Sequence, residues 1–418
     1  MRARPRPDAP CSPCPAVAGI ATLPLTVSPL QQHKEANSRL LREELAQGAL
    51  VHTAWPEVLT LNHSDFCNLR CVMCPRHHAQ GTHRLDAAVL ERLCDRLLPT
   101  ARKLTLTTAG GEPLLADFDL LLGKALQYEA RLDVVTNGIL LTPELYRRGR
   151  AAFDHVNVSL DSHVAAVYEH IRQPAKFARV HDNLVAIREE RRAHPDDVLF
   201  SLSAVVMRAN VQHLAEFIAY AGEVGVDGVI LQPLSHAVQA TPDQDATVHL
   251  GAEVVARELA RAAEAARTHG VNLLLGEFGL PPVIVRPFRD KVPPLLLGHG
   301  LCQMAAQHFS VMYTGEVYPC CMPTDYRLGN VLHEDPLAIW NGKPWQRLRR
   351  LHHQRTGSVF CSGCVHAPHL PARRHAALDR KLARARVLTN HALGPVKRWL
   401  DARFDRLPRT ATETPRDS

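Results

Sequence analysis

Short apolar runs alternate with longer amphipathic stretches along most of this 418-residue chain. The runs are rich in Val, Leu and Ile, as is typical of buried strands, and the stretches between them repeat with a helical period. Strand followed by helix, repeated many times, favours a parallel sheet with right-handed crossovers. The pattern therefore predicts an α/β fold, a partial (β/α)6 barrel of the TIM type, with ligand sites at the carboxyl ends of the strands. The six predicted strands are residues 58–62, 104–108, 132–136, 156–160, 199–207 and 228–232, and the clearest helices are 87–98, 118–128, 177–192 and 211–222.

The ends of the chain differ from this middle region. The first residues are rich in Pro and Arg, whereas residues 35–50 place Leu40, Leu41, Leu45 and Leu50 on one helical face. A further helix (254–266) and strand (272–275) are expected before a connector rich in Pro and Gly, which marks a domain boundary. The predicted segments are a disordered leader (1–34), an N-terminal helix (35–56), the partial barrel (57–280), a small C-terminal module (301–366) and a basic helical tail (371–418).

Composition indicates an ordinary globular protein, with 46% hydrophobic and 22% charged residues. No apolar run reaches the length of a membrane span. The net charge is +7, and the predicted tail carries twelve Lys or Arg residues against five Asp or Glu. Such a tail can contact nucleic acid, anionic lipid or an acidic partner, or simply be a solvated helix. Because no base-stacking signature accompanies these basic residues, we expect no nucleic-acid partner.

Eleven cysteines in a chain of this size favour metal clusters in a reducing cytoplasm over disulfides. Three of them, Cys67, Cys71 and Cys74, directly follow the first predicted strand. Three thiolates can hold three irons of a [4Fe–4S] cube and leave the fourth iron open to a chelating molecule. A structural zinc site is the alternative, but it requires four ligands. The spacing therefore predicts an iron–sulfur cluster with an open coordination site.

The stretch from Cys67 to Arg76, CNLRCVMCPR, resembles the cluster loop of the radical S-adenosylmethionine (SAM) superfamily, with Met73 in place of the usual aromatic residue. The resemblance implies that the open iron binds the amino and carboxylate groups of SAM. One electron then cleaves SAM to methionine and a 5'-deoxyadenosyl radical, which abstracts a hydrogen atom from the substrate. A reducing partner such as flavodoxin or ferredoxin is implied.

Polar and glycine residues at the ends of the next strands resemble the SAM-binding motifs of the same family. Paired glycines allow a ligand to approach the backbone, and a carboxylate or carbonyl can accept from an ammonium group. A tight turn at the first two motifs and a surface ion pair at the last are the competing explanations. Gln232, at the sixth strand, is expected to face the same cavity, but its role is open. The implied SAM-binding residues are Gly110, Gly111, Glu112, Pro113, Thr136, Asn137, Ser159, Asp161 and Arg172.

A second set of cysteines, Cys302, Cys320, Cys361 and Cys364, falls in the C-terminal module. With the flanking Gly-Asn and Ile-Trp-Asn segments, it resembles the SPASM domain, most of all the shortened twitch form of the butirosin-pathway aminocyclitol dehydrogenase. The resemblance implies one auxiliary [4Fe–4S] cluster, and a zinc ribbon is the alternative. Cys321 is expected to be spare, and no function is assigned to the remaining cysteines, Cys11, Cys14 and Cys94.

A fully ligated auxiliary cluster suits electron transfer, so we expect a two-electron oxidation with this cluster as electron acceptor. The segment before the first strand is shorter than the peptide-binding domain of many peptide-modifying relatives. This favours a small polar metabolite, of the sugar or aminocyclitol type, as the substrate. The alternatives are modification or cross-linking of a ribosomally made peptide and a non-enzymatic metal-binding scaffold. No catalytic acid or base is assigned from the sequence.

Overall fold

The computed structural model describes residues 27–74, 81–107, 111–234, 244–275, 302–320 and 326–354. The strands are β1 (Val58–Asn62), β2 (Arg70–Cys71), β3 (Lys103–Leu106), β4 (Arg131–Thr136), β5 (Phe153–Ser159), β6 (Arg172–Gln173), β7 (Leu199–Val206), β8 (Gly228–Pro233), β9 (Asn272–Leu275), β10 (His308–Met312), β11 (Glu316–Tyr318) and β12 (Gly329–Asn330). The helices are α1 (Pro29–Ala46), α2 (Ala87–Leu97), α3 (Phe118–Gln127), α4 (Pro143–Gly149), α5 (Ala165–Ile171), α6 (Phe177–Ala193), α7 (Leu214–Glu223), α8 (Ala246–Leu250), α9 (Ala252–His269), α10 (Gln303–Gln307), α11 (Pro336–Trp340) and α12 (Lys343–His353).

Ten of these strands form one sheet in the order β12-β11-β10-β1-β3-β4-β5-β7-β8-β9. The six strands predicted from the apolar runs are neighbours in chain order, and all their pairings are parallel. Strand β9 adds a parallel strand at one edge. The α/β class with a mostly parallel sheet is therefore confirmed. One predicted helix is split, because the 3-10 turn Val211–His213 precedes α7.

The hydrophobic core lies between the sheet and its covering helices. Alternating aliphatic side chains on β3, β4 and β5 are at most 1% exposed, namely Leu104, Leu106, Leu132, Val134, Val156 and Val158. These side chains belong to one buried cluster with the apolar faces of α2, α3 and α6, as the period of a strand requires when one face is covered. The alternating residues on the opposite, inner face of the sheet are mostly polar. None of the described helices combines the length and apolar character of a membrane span.

The C-terminal module shares the sheet of the barrel. β10 pairs in parallel with β1 along all five of its residues, and β11 and β12 extend the sheet in antiparallel fashion. The Trp340 indole donates to the Ala54 carbonyl at 3.0 Å, and Arg349 donates to the Leu50 carbonyl at 2.8 Å. Through β10, the module covers the edge of β1, which would otherwise present unpaired backbone groups.

Helix α1 begins at Pro29, six residues before the predicted start, so the last residues assigned to a disordered leader are helical. The cause lies in two start signals that the prediction did not weigh. The Ser28 hydroxyl accepts from the Gln31 amide at 3.1 Å, and proline is favoured in the first helical turn. The predicted apolar face is also wrong in part, because Leu40 is 39% exposed whereas Lys34 is buried and donates to the Ala101 carbonyl.

Candidate active site

The segment between β1 and α2 carries Cys67, Cys71 and Cys74. Cys67 is exposed, Cys74 is half-buried and Cys71 is buried, and all three are free thiols. Burial raises the pKa of Cys71 to about 11; Arg172 opposes this rise, and the other two thiols add to it. Among the described residues, no three His, Cys, Asp or Glu side chains converge as they would on a single metal ion. The three thiols are close enough to interact electrostatically. This arrangement suits a cluster that places each thiolate on a different iron.

Two short strands tie this loop to the segment after β5. β2 pairs with β6, so that Cys71 lies opposite Arg172, and the Val72 amide donates to the Ile171 carbonyl at 2.9 Å. The Arg172 Nε donates to Asp161 at 2.6 Å, and Nη1 of the same guanidinium lies 3.9 Å from the Cys71 sulfur. Burial acts against the charge of Arg172, yet the neighbouring Asp161 and Cys71 raise its pKa above the ordinary value. A buried cation thus faces the thiol.

Glu112 links the ends of β3 and β4. Its carboxylate accepts from the Thr136 hydroxyl at 2.6 Å, the Asn137 amide at 2.7 Å and the Leu114 amide at 3.2 Å. The side chain is 1% exposed, and burial raises its pKa although these three hydrogen bonds oppose the rise. A carboxylate has about four acceptor positions, so internal donors occupy most of them. The observed contacts make Glu112 a brace for the strand ends.

The glycine-rich motif before Glu112 touches the cysteine loop. A Cβ atom on Gly111 would lie 2.5 Å from the Ser64 carbonyl oxygen, so only glycine allows this backbone approach. The Glu112 amide donates to the Phe66 carbonyl at 2.6 Å, and Pro113 is buried. Gly110 lies outside the described residues.

Sequence reasoning missed Asn68, which lies inside the cysteine loop. Its side-chain oxygen accepts from the side-chain nitrogen Nδ2 of Asn137 at 2.7 Å. Because Asn137 also donates through its backbone to Glu112, the loop and the ends of β3 and β4 form one hydrogen-bonded unit. The only signal in the sequence was the position of Asn68 between two cysteines.

The residues predicted at the end of β5 divide into two kinds. Asp161 is buried, and its carboxylate accepts from Arg172 and from the Val205 amide at 2.8 Å, so it joins β5 to β7 and to the cysteine loop. Ser159 is half-buried and lies opposite Ser203 in the parallel register. Gln232 is exposed near the end of β8.

A layer of polar side chains on the inner face of the sheet was also missed. Asn157 on β5 donates to the Ser201 hydroxyl at 3.0 Å and accepts from Ser203 at 2.6 Å. His155 lies 2.7 Å from the same Ser201 hydroxyl, and burial lowers its pKa to about 4. The signal in the sequence was the alternation of polar and apolar residues within these strands, which places every second side chain on this face. Between β5 and β7, the inner face therefore offers neutral hydrogen-bonding groups.

The second set of cysteines is only partly described. Cys302 is buried at the start of α10, where it packs with Ala305 and Leu348, and Cys320 follows β11 and is half-buried. Arg349 and His352 line a small cavity together with Cys302. The other two predicted ligands, Cys361 and Cys364, and the neighbouring Cys321 lie outside the described residues.

Two family models match the chain. The Radical SAM superfamily model matches residues 61–229, and the model of SPASM, an iron-sulfur cluster-binding domain, matches residues 302–365. The first match contains the three-cysteine loop and the polar strand ends described above. The second contains all four cysteines of the second set.

Similar proteins fall into two groups by coverage. Mycofactocin maturase MftC of Mycolicibacterium smegmatis is 26% identical over 323 residues, which is 74% of this chain and 76% of the maturase. The AdoMet-dependent heme synthase of Methanosarcina barkeri is 28% identical over 178 residues, 41% of this chain and 48% of the synthase. Among solved structures, Streptococcus suis SuiB bound to the precursor peptide SuiA superposes with a TM-score of 0.53 at 15% identity, over 75% of this chain and 71% of SuiB. At that identity the superposition shows a shared fold.

Proposed function

The chain belongs to the radical SAM superfamily and carries a SPASM iron–sulfur cluster-binding domain, and from this premise we propose that it modifies a ribosomally made peptide. The family uses a [4Fe–4S] cluster and SAM, and the SPASM domain binds further iron–sulfur. The substrate class is the point at which this proposal departs from the sequence-based expectation of a small polar metabolite.

The extent of the similarity to a maturase carries this proposal. Its 323 aligned residues are too many to be confined to residues 61–229, so the similarity continues beyond the Radical SAM match. The heme synthase alignment, by contrast, is about as long as that match alone. SuiB, which shares the fold over most of both chains, was solved with a precursor peptide. The expectation of a metabolite substrate rested on the short segment before β1. A separate leader-binding protein could bind the peptide in place of such a segment, so its length does not decide the substrate class.

We infer that Cys67, Cys71 and Cys74 hold the SAM cluster. With this cluster and SAM bound, the chemistry supplied is a 5'-deoxyadenosyl radical that abstracts a hydrogen atom from the substrate. The protein itself holds the cysteine loop in position. The Arg172 guanidinium lies 3.9 Å from the Cys71 sulfur, and the Asn137 side chain donates to Asn68. Buried partners of this kind restrict the orientation of metal ligands.

The remaining predicted SAM-binding residues are proposed to form the floor on which SAM lies. Glu112 and Asp161 hold the strand ends at fixed positions through hydrogen bonds inside the protein. Gly111 lets the end of β3 approach the cysteine loop closely, since a side chain there would meet Ser64. Ser159 and Thr136 stand at the same edge of the parallel sheet, because the carboxyl ends of β4 and β5 are adjacent.

We further infer that Cys302, Cys320, Cys361 and Cys364 hold one auxiliary cluster. The buried position of Cys302, packed against Leu348 of α12, supports a ligand that is shielded from solvent. In the order of strands, β1, which leads into the first cysteine loop, is the direct neighbour of β10, which begins shortly after Cys302.

Peptides encoded beside the gene provide the direct test. The anaerobically reconstituted protein, with SAM and a reductant, should change such a peptide and form 5'-deoxyadenosine. Loss of two hydrogens in the mass spectrum identifies an oxidation or a cross-link, and solvent deuterium without that loss identifies an epimerisation. If no encoded peptide changes while a sugar or aminocyclitol is oxidised with matching deoxyadenosine, the peptide proposal is wrong.

A further inference from the structure

Arg349 on α12 is a buried cation that uses only part of its hydrogen-bonding capacity. The residue is 3% exposed. Its Nη1 donates to the Leu50 carbonyl at 2.8 Å and lies 3.4 Å from the Asn341 side-chain oxygen. Nε and Nη2 are buried as well, and no described residue accepts a hydrogen bond from either of them. Buried donors of this strength normally have a partner, so the guanidinium is arranged for a group that is not among the described side chains.

Two aromatic rings hold the guanidinium in place. Its central carbon lies 4.4 Å from the centre of the Trp340 ring and 5.8 Å from the centre of the Trp345 ring. Aromatic faces at these distances attract a cation. The rings and the hydrogen bond to Leu50 therefore fix the side chain without using Nε or Nη2, which leaves both nitrogens positioned in advance for a ligand.

The small cavity that Arg349 lines contains a predicted cluster ligand. Cys302 forms part of the same wall, together with Ala305 and Ala306 of α10 and His352 of α12. The cavity measures about 10 Å³, which is about the space of a single water molecule and excludes an organic ligand. The arrangement suits an acceptor atom that belongs to Cys302 or to a group bound by that thiolate.

The charge of Arg349 also lacks a described counterion. The carboxylate of Glu44 on α1 accepts instead from the Thr53 amide at 2.8 Å. The segment that carries the other two predicted ligands, residues 355–378, contains neither Asp nor Glu. A buried charge is costly unless it is paired. The thiolates of the second set, with Cys302 in the wall of the cavity, are the negative groups that this part of the sequence provides.

We propose that Arg349 donates hydrogen bonds through Nε and Nη2 to sulfur atoms of the auxiliary cluster on its Cys302 side. Reduction adds negative charge to an iron–sulfur cluster, and hydrogen bonds to the sulfurs are among the factors that set its potential. Arg349 therefore stabilises the reduced form and makes the cluster easier to reduce. The inference rests on the proposed ligands of the auxiliary cluster, and it adds the residue that tunes that cluster.

A redox titration of the auxiliary cluster tests this proposal. Full-length protein with Cys67, Cys71 and Cys74 replaced by Ala keeps only the second set of proposed ligands, and electron paramagnetic resonance follows the reduced cluster. In this background Arg349→Met should shift the equilibrium about tenfold towards the oxidised cluster, a fall of about 59 mV for one electron. Arg349→Lys, which keeps a positive charge, should lower the potential less.

The matched control is Arg350→Met, which removes an exposed cation from the next position of α12 and should leave the potential unchanged. Equal potentials for Arg349→Met and Arg350→Met would overturn the proposal. If the background protein binds no iron, the proposed cluster ligands are wrong. About four irons with a potential that does not respond to Arg349 would instead refute only the role of this residue.

A second measurement does not depend on whether Arg349→Met folds. Protein of the same background labelled with ¹⁵N-arginine should show a ¹⁵N nucleus coupled to the reduced cluster in pulsed electron paramagnetic resonance. Arg350→Met should keep this coupling, and Arg349→Lys should lose it. Absence of the coupling in the labelled background protein, or its persistence in Arg349→Lys, would show that Arg349 does not contact the cluster.

Discussion

The two sets of cysteines are built in opposite ways. Cys67, Cys71 and Cys74 lie in one short loop, and the ends of β3, β4 and β5 hold that loop through side chains. Cys302 and Cys320 belong to different elements, with α10, β10 and β11 between them. The first set is local in the sequence and needs the tertiary structure only for its surroundings. The members of the second set lie far apart in the sequence and can meet only through the fold of the module.

Their charged neighbours differ as well. Arg172, beside Cys71, is buried against the Asp161 carboxylate, so its charge is balanced. Arg349, which lines the small cavity with Cys302, lies 4.4 Å from the centre of the Trp340 ring and donates to the neutral carbonyl of Leu50. Burial lowers the pKa of Arg349 to about 9. A buried cation is thus neutralised by an ion pair at the first site and is held by a ring and a carbonyl at the second.

The largest expected effect separates the two sites by chemistry. Replacing Cys67, Cys71 and Cys74 with Ala should abolish formation of 5'-deoxyadenosine and remove about four irons per chain, since these thiolates are the proposed ligands of one cube. Cys302→Ala should also lose iron but retain slow cleavage of SAM.

The control for this contrast is Cys94→Ala, which removes a thiol from the interior of α2. Burial raises the pKa of Cys94 to about 12, and the side chain is far in sequence from either proposed site. It should keep the full iron content and activity. Normal SAM cleavage by the triple variant would contradict the assignment of the first site.

Removing each arginine should sharpen the comparison by stability. Arg172→Met leaves the buried Asp161 carboxylate without its cation, which typically costs about 3–5 kcal/mol. Arg349→Met leaves a neutral acceptor, the Leu50 carbonyl, unsatisfied, and such a loss costs about 1–3 kcal/mol. Urea unfolding followed by circular dichroism measures both values. Arg148→Gln, which breaks an exposed pair with Asp119, should change stability little.

Equal losses for Arg172→Met and Arg349→Met would show that the carboxylate at the first site is not decisive. If the unpaired charge is the cause, Asp161→Asn in the Arg172→Met background should recover part of the stability.

A smaller effect is expected from Glu112→Gln. The amide keeps one acceptor but presents an NH2 group to a donor, either the Thr136 hydroxyl or the Asn137 amide, so one charge-assisted hydrogen bond is lost at about 1.5–3 kcal/mol. The strand ends should loosen, which raises KM for SAM more than it lowers kcat. Equilibrium unfolding and SAM-cleavage kinetics measure the two effects, with the exposed Glu91→Gln as control. An unchanged KM with reduced stability would assign Glu112 a purely structural role.

The smallest expected effect concerns pH. Burial lowers the pKa of His308 on β10 to about 4, and burial does the same to His155 on β5. Both are neutral in the folded protein, whereas in the unfolded chain they bind protons below about pH 6.5. The unfolded state therefore gains protons as pH falls from 6.5 towards 4, and stability decreases in that window. His308→Asn should reduce the slope of unfolding free energy against pH by about one proton, as urea titrations at several pH values can measure. An unchanged slope would mean that His308 is protonated in the fold.

The sequence by itself determined the elements and the local sites. The apolar runs could be recognised as strands because a buried strand has a short period and a defined length. These runs form β1, β3, β4, β5, β7 and β8. The three cysteines of the first loop could be recognised as one set because they lie within eight residues of the chain. The start of α1 could also have been read, since Ser28 and Pro29 are ordinary helix-start signals.

Only the tertiary structure decided which distant groups meet. The pairing of Arg172 with Asp161, the contact of Asn137 with Asn68, and the hydrogen bonds of Asn157 to Ser201 all join different elements. The parallel pairing of β10 with β1, across a connector that the sequence marked as a boundary, is of the same kind. Local periodicity reports which face of an element is buried, but it holds no information on the partner that covers that face. That choice depends on register and packing between segments far apart in the chain.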